Sequence, residues 1–184
     1  MATHRLKTPL TESDIASVSA GDTVYITGQV FTARDAAHKR LMKLIEEGTP
    51  LPFQLEGAII YYSGPCPAPP EQPIGACGPT TSSRMDGYAP RLIALGQKVM
   101  IGKGPRSEAV KQAIVEHRGL YLAATGGAGA LYARCVKSAK AIAFIDLGAE
   151  AVHELYVEDM PLIAAIDSRG GDLYEEGPAA YRTK

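Results

Sequence analysis

Five of the eleven residues from Ser63 to Pro73 are proline. Proline lacks a backbone N–H and has a fixed φ, so this stretch can be neither a helix nor a central strand. It must be an extended loop, and it divides the chain into two parts of different style. Before it, Thr23-Val24-Tyr25-Ile26-Thr27-Gly28 alternates as a strand, and a helix is predicted over 33–47. Ala37, Leu41, Leu44 and Ile45 give that helix its apolar face, and Gly48 with Pro50 stops it. A second strand is predicted over 57–62 and a short one over 74–77, just past the prolines.

After the loop, strands and helices alternate. Strands are predicted over 98–101, 120–124, 141–145, 152–157 and 162–167, with helices over 107–118 and 128–138. Short apolar strands alternating with helices argue for a layered α/β domain with a largely parallel central sheet, the first half forming a second β layer. The 184 residues suit a single domain over 1–184, long enough to bury about 70% of the unfolded surface without staples. Net charge is −1 and pI about 6.4, with Lys and Arg scattered, which argues against nucleic acid or an anionic membrane as partner. No run approaches a membrane span, and Met1-Ala2-Thr3-His4-Arg5 leads into no apolar core of a signal peptide, so a cytoplasmic protein is expected.

Cys66, Cys77 and Cys135 are odd in number and far apart, which speaks against a disulfide framework. Three cysteines suffice in number for an iron–sulfur cluster with one open iron. Against that, Cys66 sits in the proline loop and Cys135 falls mid-helix, as small buried or loop thiols do. No metal ligand is expected on this chain.

The chemistry concentrates in a few short motifs. Gly78-Pro79-Thr80-Thr81-Ser82-Ser83-Arg84-Met85-Asp86 leads a proline and four hydroxyls into an arginine. Read as a helix start, it puts Thr80 and Arg84 on one face and offers free N–H groups to a small anion. The same residues also suit an ordinary helix cap, with Thr81 as the capping hydroxyl. Thr32-Ala33-Arg34-Asp35-Ala36-Ala37-His38-Lys39-Arg40 opens another helix, with Thr32 and Asp35 spaced as a capping box. Arg34 and His38 stand at i and i+4, as do Asp35 and Lys39. His38 is therefore either a satisfied histidine or a site residue, and Asp35 either a cap and partner of Lys39 or a site residue. Lys103 lies between two glycines after an apolar strand, outside any P-loop pattern. Gly126-Gly127-Ala128-Gly129 follows a strand, with Asp146 where a ribose-binding acid would fall; the third glycine of a dinucleotide fingerprint is missing, and a tight turn near a small anion accounts for the glycines equally well.

These segments, in this order, resemble the β subunit of class I fumarate hydratase, the iron–sulfur type, and its relative the L(+)-tartrate dehydratase β subunit. The likeness runs from Gly21-Asp22-Thr23-Val24-Tyr25 to Asp167-Ser168-Arg169-Gly170-Gly171-Asp172. It implies a swivelling β/β/α domain and the fumarate–(S)-malate interconversion of the tricarboxylic acid cycle. It further implies a [4Fe–4S] cluster held by a partner α subunit, and an (αβ)2 assembly. By the same resemblance Arg34, Arg84 and Lys103 bind the dicarboxylate and Thr80 acts at its C3 proton, with Asp35, His38, Thr81 and Asp86 in support. Asp146-Leu147-Gly148-Ala149-Glu150-Ala151-Val152 and Arg84-Met85-Asp86 look more like fumarase than tartrate dehydratase. A dicarboxylate-binding domain without catalysis would need only the arginines and caps.

Overall fold

Strand β2 (Thr23–Thr32) and strand β7 (Val152–Ile166) run antiparallel along each other and hold the sheet together. The computed structural model describes residues 1–182. Around that pair stand β1 (Thr3–Lys7), β3 (Ile59–Tyr61), β4 (Val99–Gly102), β5 (Leu120–Ala123) and β6 (Val136–Ala143). Strands β1 to β5 pair in parallel, while β7 pairs antiparallel with β2, β5 and β6. Because β7 touches both β2 and β5, the run β2-β3-β4-β5-β7 closes on itself in a barrel-like ring. The parallel part expected from the sequence is present. What was expected as a separate β layer is the same mixed sheet turning back on itself.

Alternation along each strand explains the two cores. Ile59, Tyr61, Val99, Ile101, Leu120 and Leu122 enter one apolar cluster. Their neighbours Ile60, Tyr62, Met100 and Tyr121 enter another, against helices α2 (Asp35–Glu46), α3 (Ala89–Ala94) and α4 (Glu108–Glu116). Successive side chains point to opposite faces, so strands buried on both faces read as continuous apolar runs. Short helices α1 (Glu12–Ser17) and α5 (Gly129–Cys135) and the terminal α6 (Leu173–Tyr181) complete the fold.

Several expectations are corrected. Residues 74–77 form no strand: the loop folds back, with the Cys66 N–H on the Ala76 carbonyl and the Gly75 N–H on Cys66. A Cβ at Gly75 would stand 2.4 Å from the Pro67 carbonyl oxygen, so only glycine permits that approach. The helix expected over 128–138 ends at Cys135, and the strand expected over 141–145 is β6, beginning at Val136. Pairing with β7 overrides the local helical pattern there. The strands expected over 152–157 and 162–167 are one strand, bent near Asp159 (φ 45°), whose N–H donates to Thr27 Oγ1 at 3.0 Å. β7 lies between β5 and β6 and runs antiparallel to both, so the two are not paired neighbours as in a dinucleotide-binding βαβ unit, and Asp146 instead pairs with Arg40 on the surface at 2.5 Å. That removes the dinucleotide reading.

Candidate active site

The carboxyl ends of β2, β3, β4 and β5 share one edge of the sheet, where open α/β sheets place their ligands. Each delivers one piece: Arg34 follows β2, Ser63-Gly64 follows β3, Lys103 follows β4 and Gly126-Gly127 follows β5. Residues 79–82 run across these ends. The Thr80 N–H donates to the Tyr62 carbonyl at 2.8 Å, Thr81 bridges Lys103, and the Ser82 N–H donates to the Lys103 carbonyl at 2.9 Å.

The helical geometry expected for this segment is absent. A 3-10 turn spans Ser82–Met85, so Thr80 precedes it and shares no helical face with Arg84. Thr81 occupies its N-cap position without a side-chain capping bond. Thr80 is half-buried, and its hydroxyl makes no hydrogen bond among the described residues. Thr32 makes no capping box with Asp35 either: it ends β2, and its Oγ1 accepts the His153 N–H at 3.1 Å. In both cases a neighbouring strand or loop decides the hydroxyl's surroundings, and local spacing does not.

Asp35 brings the two arginines together. Its Oδ2 accepts Arg84 Nη2 at 2.5 Å, and its Oδ1 stands 3.9 Å from Arg34 Nε. It makes no ion pair with Lys39 among the described residues. Arg34 also reaches Glu150 at 3.4 Å, an acid on the 3-10 turn Ile145–Glu150 that sequence spacing did not flag, since it lies far along the chain. Gly64 makes room for this guanidinium, because a Cβ there would stand 3.0 Å from Arg34 Nη1. Lys103 lies against Gly126, its Nζ 3.6 Å from where a Cβ would stand, and makes no ion pair among the described residues.

His38 and Asp86 lie apart from this cluster. His38 is fully buried between Tyr62 and Tyr88, with Nδ1 2.9 Å from the Arg34 carbonyl. A carbonyl only accepts, so the ring carries its proton on Nδ1, and Nε2 has no partner. Burial pushes its pKa down to about 4, and the nearby Arg106 cation works in the same direction. It steadies the backbone of Arg34 from below. Asp86 turns to Arg106, whose Nε donates to it at 2.7 Å. An open cavity of about 800 Å³ lies elsewhere, against the first residue of β3, with Lys7, Gln29, Phe53 and Tyr156 in its walls. It holds none of these groups.

Three cations gather at these strand ends, two of them paired with Asp35 and Glu150, and the excess positive charge suits a small anion able to compete for the guanidiniums. A family model described as Fumarase C-terminus matches residues 2–177. The chain belongs to this family. It is 38% identical to an anaerobic class I fumarate hydratase of Escherichia coli over 82% of its own length and 28% of the relative's. To fumarate hydratase 2 of Leishmania major it is 35% identical, over 93% of the chain and 31% of the relative. It therefore spans about a third or less of these fumarate hydratases. With a putative L(+)-tartrate dehydratase subunit beta of Methanocaldococcus jannaschii it shares 38% identity over 91% of the chain and 89% of the relative.

The chain's own thiols do not fit an iron–sulfur cluster, which takes thiolate ligands. Cys77 is buried on Ser63 Oγ at 3.2 Å, and burial pushes its thiol up to about 11. Cys66 is exposed and Cys135 half-buried, and among the described residues no group of three or more His, Cys, Asp or Glu can hold a metal ion. Reconstituted alone with iron and sulfide, the purified chain should stay colourless. A brown product with about four irons per chain, lost on replacing these cysteines, would refute this. Among the described residues no helix is long and apolar enough to cross a membrane.

Proposed function

We propose that this chain is the β subunit of a two-subunit hydro-lyase interconverting fumarate and (S)-malate, active only with an α subunit. Family membership supports a hydro-lyase. The observation that carries the reading to a dicarboxylate is Asp35, which joins Arg34 and Arg84 beside Lys103 at one sheet edge. The [4Fe–4S] cluster implied by the resemblance is assigned to the α subunit, since the thiols here do not fit one. We assign the pair to the cytoplasm as an (αβ)2 assembly, with residues 1–184 as one swivelling β/β/α domain.

Within this reading Arg34 and Arg84 hold the carboxylates, and an arginine's planar fork suits a carboxylate better than a point charge does. Lys103 completes the cationic wall. As the C3 proton leaves, charge gathers on the adjoining carboxylate, and these three cations meet it. Thr80 Oγ1, as an alkoxide held by the same cations, takes that proton and passes it to the hydroxide lost from C2, which departs as water and leaves the alkoxide restored. Asp35 sets the two arginines side by side, and His38 anchors the backbone of Arg34.

Arg84→Lys should cost about 2 kcal/mol in kcat/KM, roughly 30-fold, because it keeps the charge and loses the fork. Near-wild-type kinetics in the assembled enzyme would remove Arg84 from the site.

A second reading, L(+)-tartrate dehydratase β subunit, is favoured by the Methanocaldococcus jannaschii relative, whose length the chain covers to 89%. The deciding experiment co-expresses the chain with its α partner and reconstitutes iron and sulfide without oxygen. Fumarate absorbance is then followed with malate, and loss of L(+)-tartrate separately. Turnover of malate supports the first reading and turnover of tartrate alone the second. Dicarboxylate binding without turnover of either would make the chain a binding domain.

A further inference from the structure

Arg106 lies beneath the candidate site with its side chain wholly withdrawn from solvent. Its Nε donates to Asp86 Oδ1 at 2.7 Å, and its guanidinium lies 5.3 Å from the Tyr62 ring and 5.0 Å from the Tyr121 ring. Nη1 reaches Met100 Sδ at 3.5 Å, and Nη2 is buried without a partner. A buried charge with an unpartnered nitrogen is costly, and an apolar side chain would fill the space at less cost. Packing alone does not account for an arginine here.

Its connections do. Asp86 closes the turn that carries Arg84. Through Oδ1 it accepts from Arg106, and through Oδ2 it accepts the Ser107 N–H at 2.6 Å. At the other end of that turn the Ser82 N–H donates to the Lys103 carbonyl at 2.9 Å. The approach requires Gly102, where a Cβ would stand 2.0 Å from Ser82 Oγ. The Tyr121 hydroxyl lies 2.9 Å from both Ser82 Oγ and the Gly104 carbonyl, which ties the pair to β5. Segments 82–86 and 103–107 are thus fastened at both ends, with Arg84 within one and Lys103 opening the other.

We infer that Arg106, acting through Asp86, is a positioning residue that fixes the separation of the cations Arg84 and Lys103. The inference rests on the dicarboxylate reading of those two residues. A dicarboxylate carries two charges at a set spacing, so a pair of cations free to drift binds it less well.

The test removes both buried charges together. Arg106→Met with Asp86→Asn keeps the volume and leaves an amide oxygen to accept the Ser107 N–H, so the fold should survive. In the complex with the α subunit, the double variant should keep its unfolding temperature and raise KM for the dicarboxylate about tenfold or more, with a smaller change in kcat. Arg106→Lys, with one point donor toward Asp86, should fall between the double variant and wild type. In the full chain alone, amide exchange at Ser82 and Ser107 should be about tenfold faster in the double variant, since these are the bonds that fasten the segments. Wild-type KM in a folded double variant, or unchanged exchange, overturns the positioning role. Should the double variant not fold, Arg106→Lys, which keeps a cation opposite Asp86, is read alone by the same exchange criterion. That arm needs no turnover: a wild-type complex inactive on every dicarboxylate would sink the proposed function, while the exchange rates still decide for or against Arg106.

Discussion

Thr80→Val in the assembled enzyme should lower kcat for malate dehydration by about 10²-fold or more, roughly 3 kcal/mol. Valine keeps the shape of threonine and removes only the hydroxyl, so binding of a dicarboxylate inhibitor should change little. The expectation rests on position: Thr80 hangs by its N–H from the Tyr62 carbonyl, and its hydroxyl is not engaged by any described residue. Thr81 is the control. It bridges Lys103 through its backbone, and its side chain caps nothing, so Thr81→Val should leave both turnover and stability close to wild type. Malate dehydration and C3 deuterium exchange distinguish the two. A dead Thr81→Val enzyme beside an active Thr80→Val enzyme would mean that the wrong hydroxyl has been assigned to the proton.

Acid should weaken the fold between about pH 6.5 and pH 4 through His38. Its folded pKa of about 4 lies below the ordinary value of 6.5, so the unfolded chain binds the extra proton first as pH falls. The contribution is therefore fully present above pH 6.5, is lost progressively on acidification, and levels off near pH 4, amounting to about 3 kcal/mol. Burial is the main cause. Arg106 reinforces it, while the Arg34 carbonyl and Asp35 oppose it. His153, held down by its own burial, slopes the same way, so the difference between wild type and His38→Phe isolates His38. Asp22 is separable: its carboxyl sits at about 2, lowered mainly by the Ala2 and Ser19 N–H groups, and gives way only below about pH 4. Urea midpoints at pH 7, 5.5 and 4.5 measure the effect. A wild-type profile parallel to that of His38→Phe would show that His38 does not titrate in this window.

The parts of the fold legible in the sequence are those whose signal is local. Strands β2 to β5 and helices α2 and α4 announce themselves as apolar runs or stripes bounded by Gly and Pro. The pair β6 and β7 does not. Each takes its boundaries from partners far along the chain, so Val136 leaves a helical pattern to face Val157, and two expected strands merge across Asp159. β1 escaped notice because only Leu6 within it is buried. The site divides in the same way. Arg34, Thr80, Arg84 and Lys103 stand in short motifs that can be read in place. Glu150 and Arg106 stand inside such segments too, but their parts depend on contacts that only the folded chain makes, with Arg34 and with Asp86. Spacing alone would set Thr80 and Arg84 on one helical face, yet the turn begins only at Ser82, after a segment held by β3 and Lys103.

The closure of the ring by β7 sets an order of events. Strands β2 to β5 are synthesised first, and until β7 follows, the free edges of β2 and β5 stay open. Thr23 must then find Ile163 across almost the whole chain, a pairing of high contact order that slows folding. Open edges invite pairing with other chains in the meantime. Nascent chains stalled ahead of residue 152 are accordingly the species most prone to aggregate, and the face that carries Arg34 and Lys103 matures only when the last strand slots in.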